Sequence, residues 1–89
     1  MEIYQYRHLA SGDANSTVTV QTNDCTFGYI TVNTTSAQAL TVKDGLGNTI
    51  AVLKASIAEG TYTYRVNAQK GLTVAVPASY TGSATVAFK

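Results

Sequence analysis

Apolar and hydroxyl-bearing residues alternate along the second half of this chain, and glycine punctuates the runs. Leu40-Thr41-Val42-Lys43 leads into Asp44-Gly45-Leu46-Gly47-Asn48, and Ile50 to Leu53 follows. Glu59-Gly60 opens Thr61-Tyr62-Thr63-Tyr64-Arg65-Val66. Gly71 opens Leu72-Thr73-Val74-Ala75-Val76, and Gly82 precedes Ala84-Thr85-Val86-Ala87-Phe88. Successive side chains of a strand point to opposite faces, so period-two alternation buries one face and solvates the other. The last three runs begin near Gly60, Gly71 and Gly82, about ten residues apart, a spacing typical of antiparallel sandwiches and barrels.

The first half carries the same grammar. Ser16 to Thr22 alternates with Val18 and Val20 inward, and Asn23-Asp24 turns the chain. Thr26 to Asn33 places Ile30 and Val32 on a core face, and Ala37 to Lys43 does the same with Leu40 and Val42. Thr49 to Ala55 has a helical alternative through Ala51, Leu53, Ala55 and Ile57, but its flanking turns favour a strand. Residues 1–10 put Tyr4, Tyr6 and His8 on one side and Ile3, Gln5 and Arg7 on the other. Neither side is cleanly apolar, which predicts an arm or an edge strand. The expectation is one all-β domain over residues 1–89. About eight short antiparallel strands form a two-sheet sandwich, jelly-roll-like, with an immunoglobulin-like order as the alternative.

Charge narrows the range of partners. Charged residues make up 12% of the 89 and the formal net charge is +1, against a usual charged share of about 25%. Arg7, Lys43, Lys54, Arg65, Lys70 and Lys89 are scattered, without the clustered basic patch of a nucleic-acid binder. No run approaches the roughly 20 apolar residues that span a bilayer. One cysteine, Cys25, cannot make an internal disulfide, and the first residues do not read as a signal peptide. A chain made in a reducing cytosol is expected. A domain of this size buries only about 60–65% of its unfolded surface, which favours self-association or docking on a larger body.

Little here supports catalysis. His8 is the only histidine, and with Cys25 it supplies at most two of the three or four ligands a metal needs. No nucleophile, base and orienting group converge in the sequence. Asp13, Asp24, Asp44 and Glu59 sit in or near turns, where such side chains cap backbone amides, and Glu2 is terminal. Asp44 to Asn48 has the look of a calcium-loop fragment but lacks the closing glutamate and flanking helices of one. Asn15-Ser16-Thr17 and Asn33-Thr34-Thr35 match the glycosylation sequon and read as turns. A non-enzyme without cofactor or metal is expected.

Aromatic residues are the distinctive group: six tyrosines, two phenylalanines and no tryptophan. Tyr62, Tyr64 and Val66 share one face of an alternating run, with Thr61, Thr63 and Arg65 on the other. Core packing accounts for such tyrosines, and so does a protein interface, where Tyr and Arg are enriched. The interface candidates are Ile3, Tyr4, Tyr6 and Arg7 near the N-terminus, with Tyr62, Tyr64 and Arg65 in the later strand. A sugar-binding face is weakened by the lack of tryptophan.

The second half resembles the small β-sandwich virion proteins of tailed bacteriophages. The shared features are a Gly-rich hairpin over Asp44 to Asn48 with Ile50 and Leu53 beyond it, the strand Gly60-Thr61-Tyr62-Thr63-Tyr64, the strand Gly71-Leu72-Thr73-Val74-Ala75-Val76, and a terminal Thr85-Val86-Ala87-Phe88. Lys70 stands where the pattern has Asn or Asp, and Phe88 where it has Tyr. The resemblance covers about the last fifty residues. It implies a structural virion protein made in the bacterial cytoplasm, in first place a capsid cement or decoration module. Such a module contacts the major capsid protein, and a homo-oligomer, most simply a trimer, is implied. A tail or head-tail junction protein is the alternative. A carbohydrate-recognition module of a fibre or adhesin is the alternative of another class.

Overall fold

A computed structural model describes residues 3–89; Met1 and Glu2, the latter read above as a terminal carboxylate, lie outside the described residues. Eight strands form among these residues. They are β1 (Gln5–Leu9), β2 (Ser16–Gln21), β3 (Cys25–Thr34), β4 (Leu40–Asp44), β5 (Thr49–Leu53), β6 (Gly60–Ala68), β7 (Leu72–Val76) and β8 (Ser83–Phe88). A short 3-10 turn, Ser11–Asp13, joins β1 to β2.

Their pairing is nested. β4 pairs with β5, β3 with β6, β2 with β7 and β1 with β8, all antiparallel. The chain is therefore one long hairpin whose tip is the Asp44–Asn48 turn. Rolling that hairpin drops alternate pairs into opposite sheets, and two further ladders, β3 with β8 and β4 with β7, zip each sheet together. Sheet A has the order β1-β8-β3-β6 and sheet B the order β2-β7-β4-β5. This is the jelly-roll arrangement, and it replaces the immunoglobulin-like alternative. Every connection except the tip turn crosses between sheets.

The alternation read from the sequence places the core. Leu9, Phe27, Ile30, Val32, Val86 and Phe88 from sheet A face Val18, Leu40, Val42, Leu53, Leu72 and Val74 from sheet B, all buried. Burying each such side chain contributes about 1.5–3 kcal/mol. The smallest molecular extent is 19 Å, which fits two sheets about 10 Å apart with side chains on both outer faces. Val20 is only half-buried, because the β2–β7 register shifts between Thr19 and Gln21.

Turn chemistry fills the expected places. Asp44 Oδ1 accepts from the amides of Leu46 and Asn48, both at 2.9 Å, and Oδ2 accepts from Asn48 Nδ2 at 3.2 Å. The calcium-like fragment is thus a carboxylate-capped hairpin turn. This tip docks on the β6–β7 turn: Gly45 N donates to Gln69 O at 2.9 Å. A Cβ at Gly45 would stand 1.9 Å from Lys70 O, so no larger residue fits.

The ladder beside β3 is not regular. β6 is bulged opposite Gly28. Phe27 pairs with Val66 but Tyr29 pairs with Thr63, so Tyr64 and Arg65 together face one residue. Arg65 takes a left-handed φ of 55° to make the bulge. Tyr62 and Tyr64 pack against the core, while Val66, opposite buried Phe27, stays partly exposed at this edge of the sheet.

Candidate interaction surface

The N-terminal candidates lie at one edge of sheet A. Alternation in β1 sends Leu9 into the core and Tyr6 and His8 to the outer face. Ile3 is 76% exposed and Tyr6 is 75% exposed, the two largest exposures among the big apolar side chains described. Tyr4 reaches across the outer face instead. Its ring meets that of Tyr29 edge-on with centroids 5.4 Å apart, and Lys89 Nζ stands 5.4 Å from the Tyr4 ring centre. Arg7 donates to Asp13 Oδ1 at 3.2 Å and to the carbonyl of His8. Asp13 Oδ2 also accepts from the Ala10 amide at 3.1 Å, so Arg7 steadies the turn leaving β1.

The second group sits at the opposite edge, on β6, with β8 and β3 between it and β1. Tyr64 stacks on Phe27 with centroids 5.1 Å apart and planes 18° apart. The Tyr62 hydroxyl donates to Ala58 O at 2.6 Å. Both rings face inward with their rims at the surface, and Arg65 is exposed on the bulge. The fold does not bring the two groups of candidates together.

Between these edges runs a surface that the sequence reading did not single out. The outward positions across sheet A are Tyr6 and His8 on β1, Thr85 and Ala87 on β8, Tyr29, Thr31 and Asn33 on β3, and Thr61 and Thr63 on β6. His8 Nδ1 lies 3.1 Å from Thr85 Oγ1, and Asn33 Nδ2 donates to the same oxygen at 3.1 Å. Thr31 and Thr61 hydroxyls share a bond of 3.0 Å. The result is a hydroxyl-rich, weakly charged platform, with Tyr6 and Tyr29 in one cross-strand row on either side of Ala87. The alternating Tyr29-Thr31-Asn33 was the signal that could have found it.

Elsewhere the chemistry is quiet. Among the described residues no three of His, Cys, Asp and Glu come together as metal ligands. No helix among them is long and apolar enough to cross a membrane. Cys25 is buried at the start of β3, where burial and then the Asp24 charge push its thiol pKa above the ordinary 9.0. Burial likewise raises Tyr80 from its ordinary 10.0. A shallow depression of about 450 Å³ opens over Ala75 on the outer face of sheet B, rimmed by Thr17, Thr41 and Pro77. Comparison with protein-family models, curated proteins and solved structures finds no match to this chain.

Proposed function

We propose that this chain is a structural virion protein, a capsid cement module that binds across major capsid protein subunits and stabilises the phage head. The observation that carries the reading is the outer face of sheet A. It is a platform of threonine, tyrosine and asparagine, bordered by exposed Ile3 and Tyr6. Such a surface loses little by desolvation, because few full charges need stripping of water. Tyrosines supply large contact area at modest entropic cost. A module that binds the assembled lattice and not dispersed subunits shifts assembly by mass action. The chain would be made in the bacterial cytoplasm and end in the virion.

The test is occupancy. Mass spectrometry of purified virions should find the chain at hundreds of copies per particle, in proportion to the major capsid protein. Copies in single digits or dozens would move it to the tail or head-tail junction. The bonded row His8–Thr85–Asn33 beside Tyr6 favours a second reading, a carbohydrate-recognition face, since amides, hydroxyls and aromatic rings are what a neutral sugar engages. Specific retention of a glycan on an array would put that reading first.

A further inference from the structure

A rolled sandwich of this order has four edge strands, β1 and β6 in sheet A and β2 and β5 in sheet B. An edge presents unpaired amides and carbonyls, and soluble proteins blunt such edges with bulges, prolines or charges. Three of the four are blunted in the same way here. In β2 the extra residue is Val20, between the pairs Thr19–Thr73 and Gln21–Leu72. In β5 it is Ile50, between Ala51–Val42 and Thr49–Lys43. In β6 it falls at Tyr64–Arg65. Only β1 runs without a break, in register from Gln5–Phe88 to Leu9–Ala84. Tyr6 on β1 and Ile3, two residues before the strand, are the most exposed large apolar side chains described.

We infer that β1 is a docking edge and that its occupant is the β1 of a second copy of this chain, paired antiparallel about a two-fold axis at Tyr6. The choice of occupant follows from the side chains. A two-fold axis perpendicular to the sheet keeps outer faces together, so it must pass through a residue. At Arg7 it would set two guanidinium groups opposite each other, which is destabilising. At Tyr6 it sets Tyr6 against Tyr6 on the outer face and Gln5 against Arg7 of the other copy. The same register sets Ile3, just ahead of β1, beside the end of the other copy's β1. Aromatic pairs directly opposite on one face are among the favourable cross-strand pairs. An isologous contact of this kind is self-complementary and closes as a dimer.

Pairing merges two four-stranded sheets into one of eight strands and sets two hydroxyl-rich platforms side by side. A single short strand pair makes a small interface, so the dimer is a weak one. A trimer, implied by the resemblance, cannot close through this contact. The inference concerns the free protein and stands apart from the virion reading.

Sedimentation equilibrium of the purified protein over a concentration series is the test. The expected result is a monomer–dimer equilibrium that Tyr6→Lys weakens by at least about tenfold, or about 1.4 kcal/mol. Far-ultraviolet circular dichroism should show Tyr6→Lys folded, because the side chain is exposed. In a Cys25→Ala background, Tyr6→Cys should oxidise to a disulfide-linked dimer, whereas Val52→Cys on the β5 edge should not. A protein that stays monomeric, that forms trimers, or whose dimer ignores Tyr6→Lys overturns the inference. Cross-linking through Val52→Cys as readily as through Tyr6→Cys does so too.

Discussion

The ring of Tyr4 lies directly on the backbone of Gly28: a Cβ built on that glycine would stand 2.3 Å from Tyr4 Cε1. The bare α-carbon is what lets the N-terminal segment clamp onto β3 across the intervening β8. Gly28 also sits where the β3–β8 and β3–β6 ladders shift register. One residue therefore sets both the bulge and the seat of Tyr4.

Gly28→Ala should displace the Tyr4 ring without unfolding the domain, because the obstacle is a side chain and not backbone. The lost edge-on pair with Tyr29 is worth about 0.5–1.5 kcal/mol. Hydrogen exchange should show β1 amides opening faster while those of β3 and β7 hold. Unchanged β1 protection would mean that the clamp contributes nothing.

Gly45→Ala should be far more damaging. Its Cβ would meet the Lys70 carbonyl at 1.9 Å, and both partners are backbone in docked turns. Separation of the β4–β5 tip from the β6–β7 turn should cost about 1–3 kcal/mol or more, read as a fall in the denaturation midpoint.

Phe27 is fully buried between the sheets and stacked on Tyr64. Phe27→Ala should cost about 3–5 kcal/mol, a large part of the 5–15 kcal/mol typical of a whole domain. Val52→Ala, on an exposed outer face, should stay within about 0.5 kcal/mol. Chemical denaturation of the two variants side by side measures the contrast.

Arg65→Gly separates strain from contact. A non-glycine residue in the left-handed region costs about 1–2 kcal/mol, and Arg65 adopts φ 55°. Glycine there should raise the melting temperature of the free protein even though it adds chain entropy when unfolded. If Arg65 also touches a partner, the same variant should bind purified capsids more weakly, so stability and binding move in opposite directions.

Stability should fall at both ends of the pH scale, for named reasons. At Asp44 desolvation pushes the pKa up, but hydrogen bonds from Asn48, then from Leu46 and Gly47, outweigh it and leave the value below the ordinary 3.8. Its contribution is complete above that unfolded value and is lost as pH falls through the lowered folded one. Cys25 and Tyr80 are raised above 9.0 and 10.0, so their contributions are complete below those values and are lost as pH rises through the folded pKa values. Thermal melts from acid to alkaline pH should show Asp44→Asn flattening only the acid limb and Cys25→Ala only the alkaline one.

Much of the fold could be read because alternation is a local property. Val18, Ile30, Val32, Leu40 and Val42 were expected inward and are buried, and the segment opening the chain is an edge strand. The bulge in β6 is not legible in the same way. A bulge shows in the register between two strands, and either strand alone still looks periodic. The platform of His8, Thr85, Tyr29, Asn33 and Thr61 was hidden for a related reason. Its members come from four strands, and their neighbourhood depends on strand order.

Period-two alternation and glycine-marked turns suffice to state that this chain makes short half-buried strands with an apolar face to pair. That follows from side-chain geometry at each residue. Which strands pair, which edge stays regular and which residues share an outer face were decided when the long hairpin rolled into two sheets. Those relations join Gln5 to Phe88 and Cys25 to Ala68. Contacts so distant along the chain are selected by the burial of both apolar faces at once, and no local pattern encodes that choice.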